Sequence, residues 1–196
     1  LGESCLVSLD DLDRIICDCA SIWQIQPSEL PWLLKAEFGM SGRERIAGTG
    51  TSLEHFQRNW IQRRLKVGEC VYFEPRVESL IELSTQWIIH RRSPGDRSQQ
   101  TSQFLGATEL VTDAVGQFLG SIPLPGSSTG NWYGCEAETL SGTQAFYDRM
   151  VADARQVADE LQRLGYHGPV GIDAMVYRGP NGQPAIRSIQ DINARF

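Results

Sequence analysis

The sequence predicts an α+β fold with a largely antiparallel sheet and few helices, and three observations indicate it. Several short segments alternate apolar and polar residues, the period at which neighbouring side chains of a strand point to opposite faces. Turn sequences rich in glycine and proline, such as residues 179–182 (Gly-Pro-Asn-Gly), join consecutive segments as hairpins. Helical spacing is confined to a few stretches, and this order of elements is typical of an α+β chain.

The sequence of the N-terminal region predicts a helix, a strand and a loop. Ser8 can cap a helix that runs to about Ile22, because its hydroxyl can accept from N–H groups of the first turn and apolar residues recur on one face. Residues 32–36 (Trp-Leu-Leu-Lys-Ala) predict a short buried strand. A polar loop rich in glycine follows over residues 39–50.

The middle of the chain predicts a second helix and further strands. Thr51 and Glu54 have the spacing of a capping box, in which two side chains satisfy the first N–H groups of a helix, here one that ends near Lys66. Four strands are predicted after it, and the last two form a hairpin: residues 70–77, 82–91, 104–112 and 116–122.

The strongest helix spans residues 143–164, where the apolar residues are spaced four or three apart: Phe146, Met150, Ala154, Val157, Leu161 and Leu164. Gly165 ends this helix, since glycine readily adopts the left-handed conformation that follows a last turn. Two strands close the chain, residues 170–178 and 185–196.

Composition narrows the class of protein. With 196 residues, 41% of them hydrophobic and 21% charged, the chain is an ordinary globular protein of one domain or two small lobes. A net charge of −6 argues against nucleic acid as a partner, because nucleic-acid-binding surfaces are usually basic. No apolar run of about 18 residues and no signal peptide is visible, so we expect a cytoplasmic protein with no membrane partner.

The five cysteines are an odd number without the spacing of a zinc ribbon. We interpret them as buried free thiols in a reducing compartment. The three histidines lie on separate elements, so we interpret them as surface or loop residues.

The end of the chain carries polar side chains at alternate positions of a predicted strand. Asp191, Asn193 and Arg195 therefore share one face, and Ile192 and Ala194 point to the other.

Asp173 lies in the preceding predicted strand, where an unpartnered carboxylate in an apolar layer is costly. Two carboxylates and an amide oxygen suit Mg²⁺, which needs few protein ligands because water and phosphates complete its octahedron. Alternatively, Asp173 and Asp191 are hydrogen-bonded or paired with Arg187 or Arg195.

Lys35 ends an apolar strand just before the glycine-rich loop, so its ammonium needs water or an anion. Gly39 and Gly42 allow backbone N–H groups to approach phosphate oxygens closely. The alternative is an exposed hairpin whose lysine extends into solvent.

Residues 74–77 (Glu-Pro-Arg-Val) follow a strand and are typical of a linker between two lobes. Unpaired backbone N–H and C=O groups of such a linker can hydrogen-bond to a planar base. Glu82 begins the next strand. The alternative is that Glu74 and Glu82 are solvated strand ends.

Taken in order, these signals resemble the ATP-grasp superfamily, the fold of D-alanine–D-alanine ligase, biotin carboxylase and the purine-pathway ligases. The pattern is a strand lysine before a Gly/Ser loop, a Glu-Pro-x-Val linker, a second Glu, a Gly-x-Asp strand and an Asp-x-Asn-x-Arg strand, over residues 32–196. The resemblance implies two lobes of mainly antiparallel sheet plus helices with ATP in the cleft. Residues 1–77 would be the small lobe with an N-terminal helix, and residues 78–196 the large lobe with the metal site.

The resemblance also implies site roles, each carried over from the matching motif. Lys35 would bind the ATP phosphates, and Gly39, Ser41 and Gly42 would belong to the loop that closes over them. Glu74, Arg76 and Val77 would contact adenine, mainly through their backbone. Glu82 would bind the ribose hydroxyls. The ligands of Mg²⁺, or of Mn²⁺ as an alternative ion, would be Asp173, Asp191 and Asn193. Arg195 and Lys35 would be catalytic, with Arg195 steadying the transferring phosphoryl group.

The implied activity is that of an ADP-forming ligase. It would use Mg-ATP to convert a carboxylate into an acylphosphate that an amine or other nucleophile captures, with small molecules as partners and a homodimer as a candidate assembly. Two departures favour the alternative of a nucleotide-binding or regulatory module without ligase activity: Asp191 stands where the family usually has Glu, and no lysine precedes Lys35. A structural α+β domain without nucleotide is a third interpretation. We expect the chain to be the nucleotide-binding portion of a larger protein, without the usual N-terminal domain.

Overall fold

The computed structural model describes residues 4–6, 8–37, 44–91, 102–113, 118–124 and 143–194. These residues contain three α-helices and nine strands, and every strand pairing is antiparallel. The predicted α+β class is therefore confirmed. The chain divides into two compact units, Leu1–Glu78 and Ser79–Phe196. Their assignment to the small and large lobes of an enzyme stays a prediction.

The first unit contains a four-stranded sheet and two helices. In chain order its elements are β1 (Ser4–Leu6), α1 (Leu9–Trp23), β2 (Pro31–Ala36), β3 (Arg45–Thr49), α2 (His55–Lys66) and β4 (Val71–Pro75). The strand order is β1-β4-β2-β3, so β2 and β4 are central. A short 3₁₀ turn, Pro27–Glu29, connects α1 to β2.

Helix α1 begins as the sequence predicts. The Ser8 hydroxyl accepts from the Asp11 N–H at 3.3 Å, and the Asp11 carboxylate accepts from the Ser8 N–H at 2.9 Å, so two otherwise unpaired donors are satisfied. The face that contains Leu12, Ile15 and Ile16 is buried in the core of this unit.

The predicted capping box of Thr51 and Glu54 is wrong. Glu54 is itself the N-cap, and its backbone N–H donates to the Gln57 side chain at 2.8 Å. A capping box requires its first residue directly before the first helical residue. Because the helix begins at His55, Thr51 lies too far upstream to cap it.

Strand β3 lies within the segment that the sequence predicted to be a loop. Close packing explains the glycine at position 48 of this strand, because a Cβ at Gly48 would lie 2.1 Å from the buried ring of Trp32 on β2. The Trp32 Nε1–H donates to the Gly50 carbonyl at 2.8 Å, which fixes the ring over the strand. A glycine that reads as a loop signal in sequence is here a site of close approach. Strand β1, only three residues long, was also not predicted.

The interpretation of the cysteines as buried free thiols is wrong for three of the five. Cys5 and Cys70 form a disulfide across a sequence separation of 65, and Cys17 is an exposed thiol. Cys5 and Cys70 meet because β1 pairs with β4, and a pairing this distant in sequence leaves no local signal. Cys19 is a half-buried thiol, and burial raises its pKa. Cys135 lies outside the described residues.

The second unit contains a five-stranded sheet and one long helix. Its elements are β5 (Ser79–Ile89), β6 (Ser102–Thr112), β7 (Phe118–Pro123), α3 (Thr143–Arg163), β8 (Gly168–Arg178) and β9 (Pro184–Ala194), with the strand order β7-β6-β5-β8-β9. The predicted hairpin from β8 to β9 is confirmed, because the Gly179 N–H donates to the Gln183 carbonyl at 2.8 Å. The end of α3 before Gly165 is confirmed as well, and Gly165 has a φ of 92°.

One face of this second sheet packs against α3. Met150 and Ala154 of the helix pack in apolar clusters with Leu83 and Trp87 of β5 and Ile172 of β8. Since side chains alternate along a strand, the residues between these apolar ones lie on the opposite face. Among the described residues, no helix is long and apolar enough to span a membrane.

Candidate functional site

The opposite face of the second sheet is polar at its centre. On β5, Ser84 and Gln86 alternate with the apolar Leu83 and Trp87, so their side chains lie on the face away from α3. Glu82 occupies the same face two residues earlier and is half-buried. These positions form a row of polar side chains on a central strand.

The strand register places three further polar positions beside this row. Ser84 pairs with Asp173 of β8, and Asp173 pairs in turn with Asp191 of β9. Gly171, two residues before Asp173, pairs with Asn193. The structure therefore brings Asp173, Asp191 and Asn193 together on one face, as the alternation along the final strand predicted. Their role as metal ligands stays a prediction.

Hydrogen bonds hold the Asp173 carboxylate from two sides. The Ser84 hydroxyl donates to Asp173 Oδ1 at 2.6 Å, and the Asn193 amide donates to Asp173 Oδ2 at 2.8 Å. Gln86 donates to the Ser84 oxygen at 2.8 Å. Asp191 is exposed, and its Oδ1 accepts from the Ile192 N–H at 2.9 Å.

Ile192 lies on the other face of β9, paired with Ile172, but it is not enclosed there. Its side chain is 42% exposed, because β9 is the edge strand of the sheet. The edge position leaves Asp191 accessible from solvent.

The chemistry of these donors fits a hard divalent cation. Carboxylate oxygens carry two lone pairs each, so Asp173 can accept hydrogen bonds and still ligate, and Asn193 has a carbonyl oxygen besides the NH₂ group that donates to Asp173. Within the described parts of the chain, no group of three or more His, Cys, Asp or Glu side chains could enclose a metal ion. Two carboxylates and an amide at an exposed edge suit Mg²⁺, which retains waters and substrate oxygens.

In the first unit, Lys35 and Glu74 form an ion pair. The Lys35 Nζ lies 2.6 Å from Glu74 Oε1, and the side chains are 30% and 6% exposed. The two residues lie on the adjacent central strands β2 and β4, where Leu33 pairs with Glu74. The alternatives of a solvent-extended Lys35 and a solvated Glu74 are therefore wrong. A carboxylate is tolerated in this buried position because an ammonium neutralises it.

The predicted linker residues are placed at the end of β4. Arg76 is exposed, and its backbone N–H donates to the Pro31 carbonyl at 2.9 Å, so this donor is already used within the first unit. Val77 is half-buried. Of the other predicted site residues, four lie outside the described residues: Gly39, Ser41, Gly42 and Arg195.

Sequence reasoning missed two polar residues of this site, Ser84 and Gln86. A signal was present: in residues 82–87 (Glu-Leu-Ser-Thr-Gln-Trp), the polar Glu82, Ser84 and Gln86 recur at every second position. That period predicts one polar face, but the partner strand was needed to show which residues it meets.

Comparison with known proteins gives matches by structure. No protein-family model and no curated protein sequence matches the chain. N5-carboxyaminoimidazole synthetase of Staphylococcus aureus, solved with ADP, aligns over 100% of this chain and 40% of its own at 14% identity, with a TM-score of 0.56. The biotin carboxylase domain of 2-oxoglutarate carboxylase of Hydrogenobacter thermophilus, a dimer solved with ADP, MgADP and bicarbonate, aligns over 100% and 36% at 16% identity, with a TM-score of 0.57.

D-alanyl-alanine synthetase A of Vibrio cholerae aligns over 98% of this chain and 50% of its own at 13% identity, with a TM-score of 0.53. This chain thus spans half or less of the length of each of these three proteins. At such low identity the likeness shows a shared fold.

Proposed function

We propose that this chain, which has the fold of the ATP-grasp enzymes, is the nucleotide-binding portion of a Mg-ATP-dependent ligase. The ligase transfers the γ-phosphoryl group of ATP to a substrate carboxylate. An amine or other nucleophile then attacks the acylphosphate, and phosphate leaves. The products are ADP, phosphate and a new bond, of the carbon–nitrogen type where the nucleophile is an amine.

One observation carries this proposal beyond the fold: Asp173, Asp191 and Asn193 lie on one face of two paired strands. An ATP-dependent phosphoryl transfer needs a cation to offset charge on the phosphate oxygens, and these side chains offer the oxygen donors that Mg²⁺ or Mn²⁺ prefers. Bound there, the ion would neutralise charge that develops during transfer.

Lys35 contributes the second positive group. An ammonium has three N–H donors, so Lys35 can remain paired with Glu74 and donate to a phosphate oxygen at the same time. We assign the remaining contacts as the resemblance implies: Gly39, Ser41 and Gly42 to the phosphates, Glu74, Arg76 and Val77 to adenine, and Glu82 to the ribose. We assign Arg195 to the transferring phosphoryl group.

The test measures ATP-dependent release of ADP by the full-length protein in the presence of candidate carboxylates and amines. Asp191→Ala and Asn193→Ala should each lower the rate by about 10²–10³ while the protein stays folded, because loss of one charge-stabilising group typically has this effect. Asp148→Ala is the matched control, since Asp148 is an exposed carboxylate of the same unit on α3. Unchanged turnover of the site variants would exclude the metal assignment.

Asp191→Glu tests the departure from the family pattern. The longer side chain has room because Asp191 is exposed at a sheet edge, so this variant should keep turnover within about tenfold of the wild type. A loss as large as that of Asp191→Ala would show that the shorter carboxylate is required.

A second candidate, a nucleotide-binding or regulatory module without ligase chemistry, is favoured by Asp191, which stands where the ATP-grasp pattern usually has Glu. It predicts that Mg-ATP raises the melting temperature but that no substrate stimulates ADP release. Absence of any thermal shift with Mg-ATP would argue against both candidates.

A further inference from the structure

We propose that Ser84 and Gln86 are positioning residues that hold the Asp173 carboxylate in the orientation needed to bind the cation. This inference rests on the proposed function, since it concerns the same metal site. Neither residue belongs to the predicted ligand set. Both act through hydrogen bonds that end on Asp173.

The direction of this hydrogen-bond chain follows from its chemistry. The Gln86 Nε2 group can only donate, so the Ser84 oxygen must accept from it at 2.8 Å. A hydroxyl has one proton, and that proton is then directed to Asp173 Oδ1 at 2.6 Å. Gln86 thus fixes the rotation of the Ser84 hydroxyl, and Ser84 fixes one oxygen of the carboxylate.

Burial makes the arrangement rigid. Ser84 is 2% exposed, so water cannot replace a lost partner without cost. Asn193 holds the other carboxylate oxygen at 2.8 Å. With both oxygens engaged, the Asp173 side chain is restricted to one orientation before any cation binds, which lowers the entropy lost on binding.

Gly171 lies beside the Gln86 amide in the sheet. A Cβ at Gly171 would lie 3.4 Å from Gln86 Oε1 and 3.7 Å from the Asn193 Cβ. Gly171 pairs with Gln86 on one side and with Asn193 on the other.

Residues that orient a metal ligand without touching the ion typically change metal affinity by about 10–100-fold when they are removed. Ser84→Ala should therefore weaken cation binding by about this factor. Gln86→Met removes the donor without adding charge and should have a smaller effect in the same direction. Because Gln86 is half-buried and lies beside solvent, this variant provides a test even if Ser84→Ala lowers the yield of folded protein.

The experiment is a titration with Mn²⁺ in the presence of ADP, in which the electron paramagnetic resonance signal of free Mn²⁺ reports the bound fraction. Thr85→Val is the matched control: Thr85 is the next residue of β5, is fully buried, and its hydroxyl donates to the Ile172 carbonyl and accepts from Trp87. The control loses a buried hydroxyl and should lower stability without changing Mn²⁺ affinity.

The double variant Ser84→Ala with Gln86→Met shows whether the two residues act through one hydrogen-bond chain or independently. If Gln86 acts only through Ser84, the double variant should bind Mn²⁺ as weakly as Ser84→Ala alone. Wild-type affinity in folded Ser84→Ala, or an equal loss in Thr85→Val, would overturn the inference while leaving the metal site intact. A wild type that binds no Mn²⁺ with ADP would overturn the proposed metal site, and this inference with it.

Discussion

The Nζ atom of Lys35 lies 2.6 Å from Oε1 of Glu74, and the carboxylate of this pair is almost wholly enclosed. The pair joins the two central strands of the first sheet. The two charges differ in the cost of leaving them unpaired, because the lysine is partly solvated and the glutamate is not. Removing the lysine should therefore be more damaging than removing both charges.

Lys35→Ala should lower the free energy of unfolding by about 1–3 kcal/mol, because it removes the ammonium that neutralises a buried carboxylate. Lys66→Ala is the control, since Lys66 is exposed at the end of α2. The combined change Lys35→Met and Glu74→Gln should recover part of the loss. Urea unfolding measures the free energy of unfolding of these three variants. An equal loss of stability in Lys35→Ala and Lys66→Ala would contradict the expectation.

Glu109 should make stability depend on pH with a sign opposite to that of a salt-bridged acid. Burial raises the pKa of Glu109, and its Oε2 is enclosed without a hydrogen-bond partner among the residues that the structure describes. The folded state therefore holds the proton to a higher pH than the unfolded state, whose pKa is about 4.3. This contribution favours folding at low pH and is lost as the pH rises from the unfolded pKa through the raised folded pKa.

Glu109→Gln should accordingly raise the melting temperature at pH 7 and flatten the decline of stability above about pH 4.3. Asp148→Asn, which neutralises an exposed carboxylate of the same unit, should leave that decline in place. Thermal unfolding scans between acidic and neutral pH measure the effect. A Glu109→Gln protein less stable than the wild type at pH 7 would refute it.

The Cys5–Cys70 disulfide should stabilise the first unit by lowering the conformational entropy of the unfolded chain. A cross-link over a separation of 65 residues closes a long loop, and disulfides of this kind contribute about 2–5 kcal/mol. Cys5→Ser should lower the melting temperature, whereas Cys17→Ser, at an exposed thiol, should not. Reduction with dithiothreitol should reproduce the Cys5→Ser effect in the wild type and add nothing in that variant.

Gly48→Ala should destabilise the protein by about 1–3 kcal/mol through overpacking, because its Cβ would overlap the Trp32 ring at 2.1 Å. Gly120→Ala provides the contrast: it lies in a strand of the second unit, and a Cβ there would meet nothing within 4 Å. Denaturant unfolding of the two variants compares them directly. Similar stabilities would mean that the Trp32 ring can move aside.

Local sequence patterns were sufficient for several elements. Helix α1 carries its own cap at Ser8, and the β8–β9 hairpin carries its own turn over residues 179–182, so neither depends on distant residues. The alternation of Asp191 and Asn193 is equally local, because it needs only the period of a strand.

Other features depend on residues far apart in the chain, and these were missed. Gly48 reads as a loop residue until the Trp32 ring is placed over it, and Cys5 has no local relation to Cys70. Likewise Ser84 is one of several polar residues in its strand, and nothing marks it out until β8 brings Asp173 beside it. Short-range patterns predict which face is polar, whereas the pairing of strands decides what that face contains.

The hydrogen bond from Ser84 to Asp173 spans a sequence separation of 89, and it connects the two strands at the centre of the second sheet. Contacts between residues so distant form only after a long loop has closed, and such pairing is slow in folding. Because Ser84 and Asp173 come together only in the folded sheet, a cation bound at the proposed site would favour the native second unit over its unfolded chain. By mass action, cellular Mg²⁺ and nucleotide would then shift the folding equilibrium of this unit toward the native state and slow its turnover by proteases.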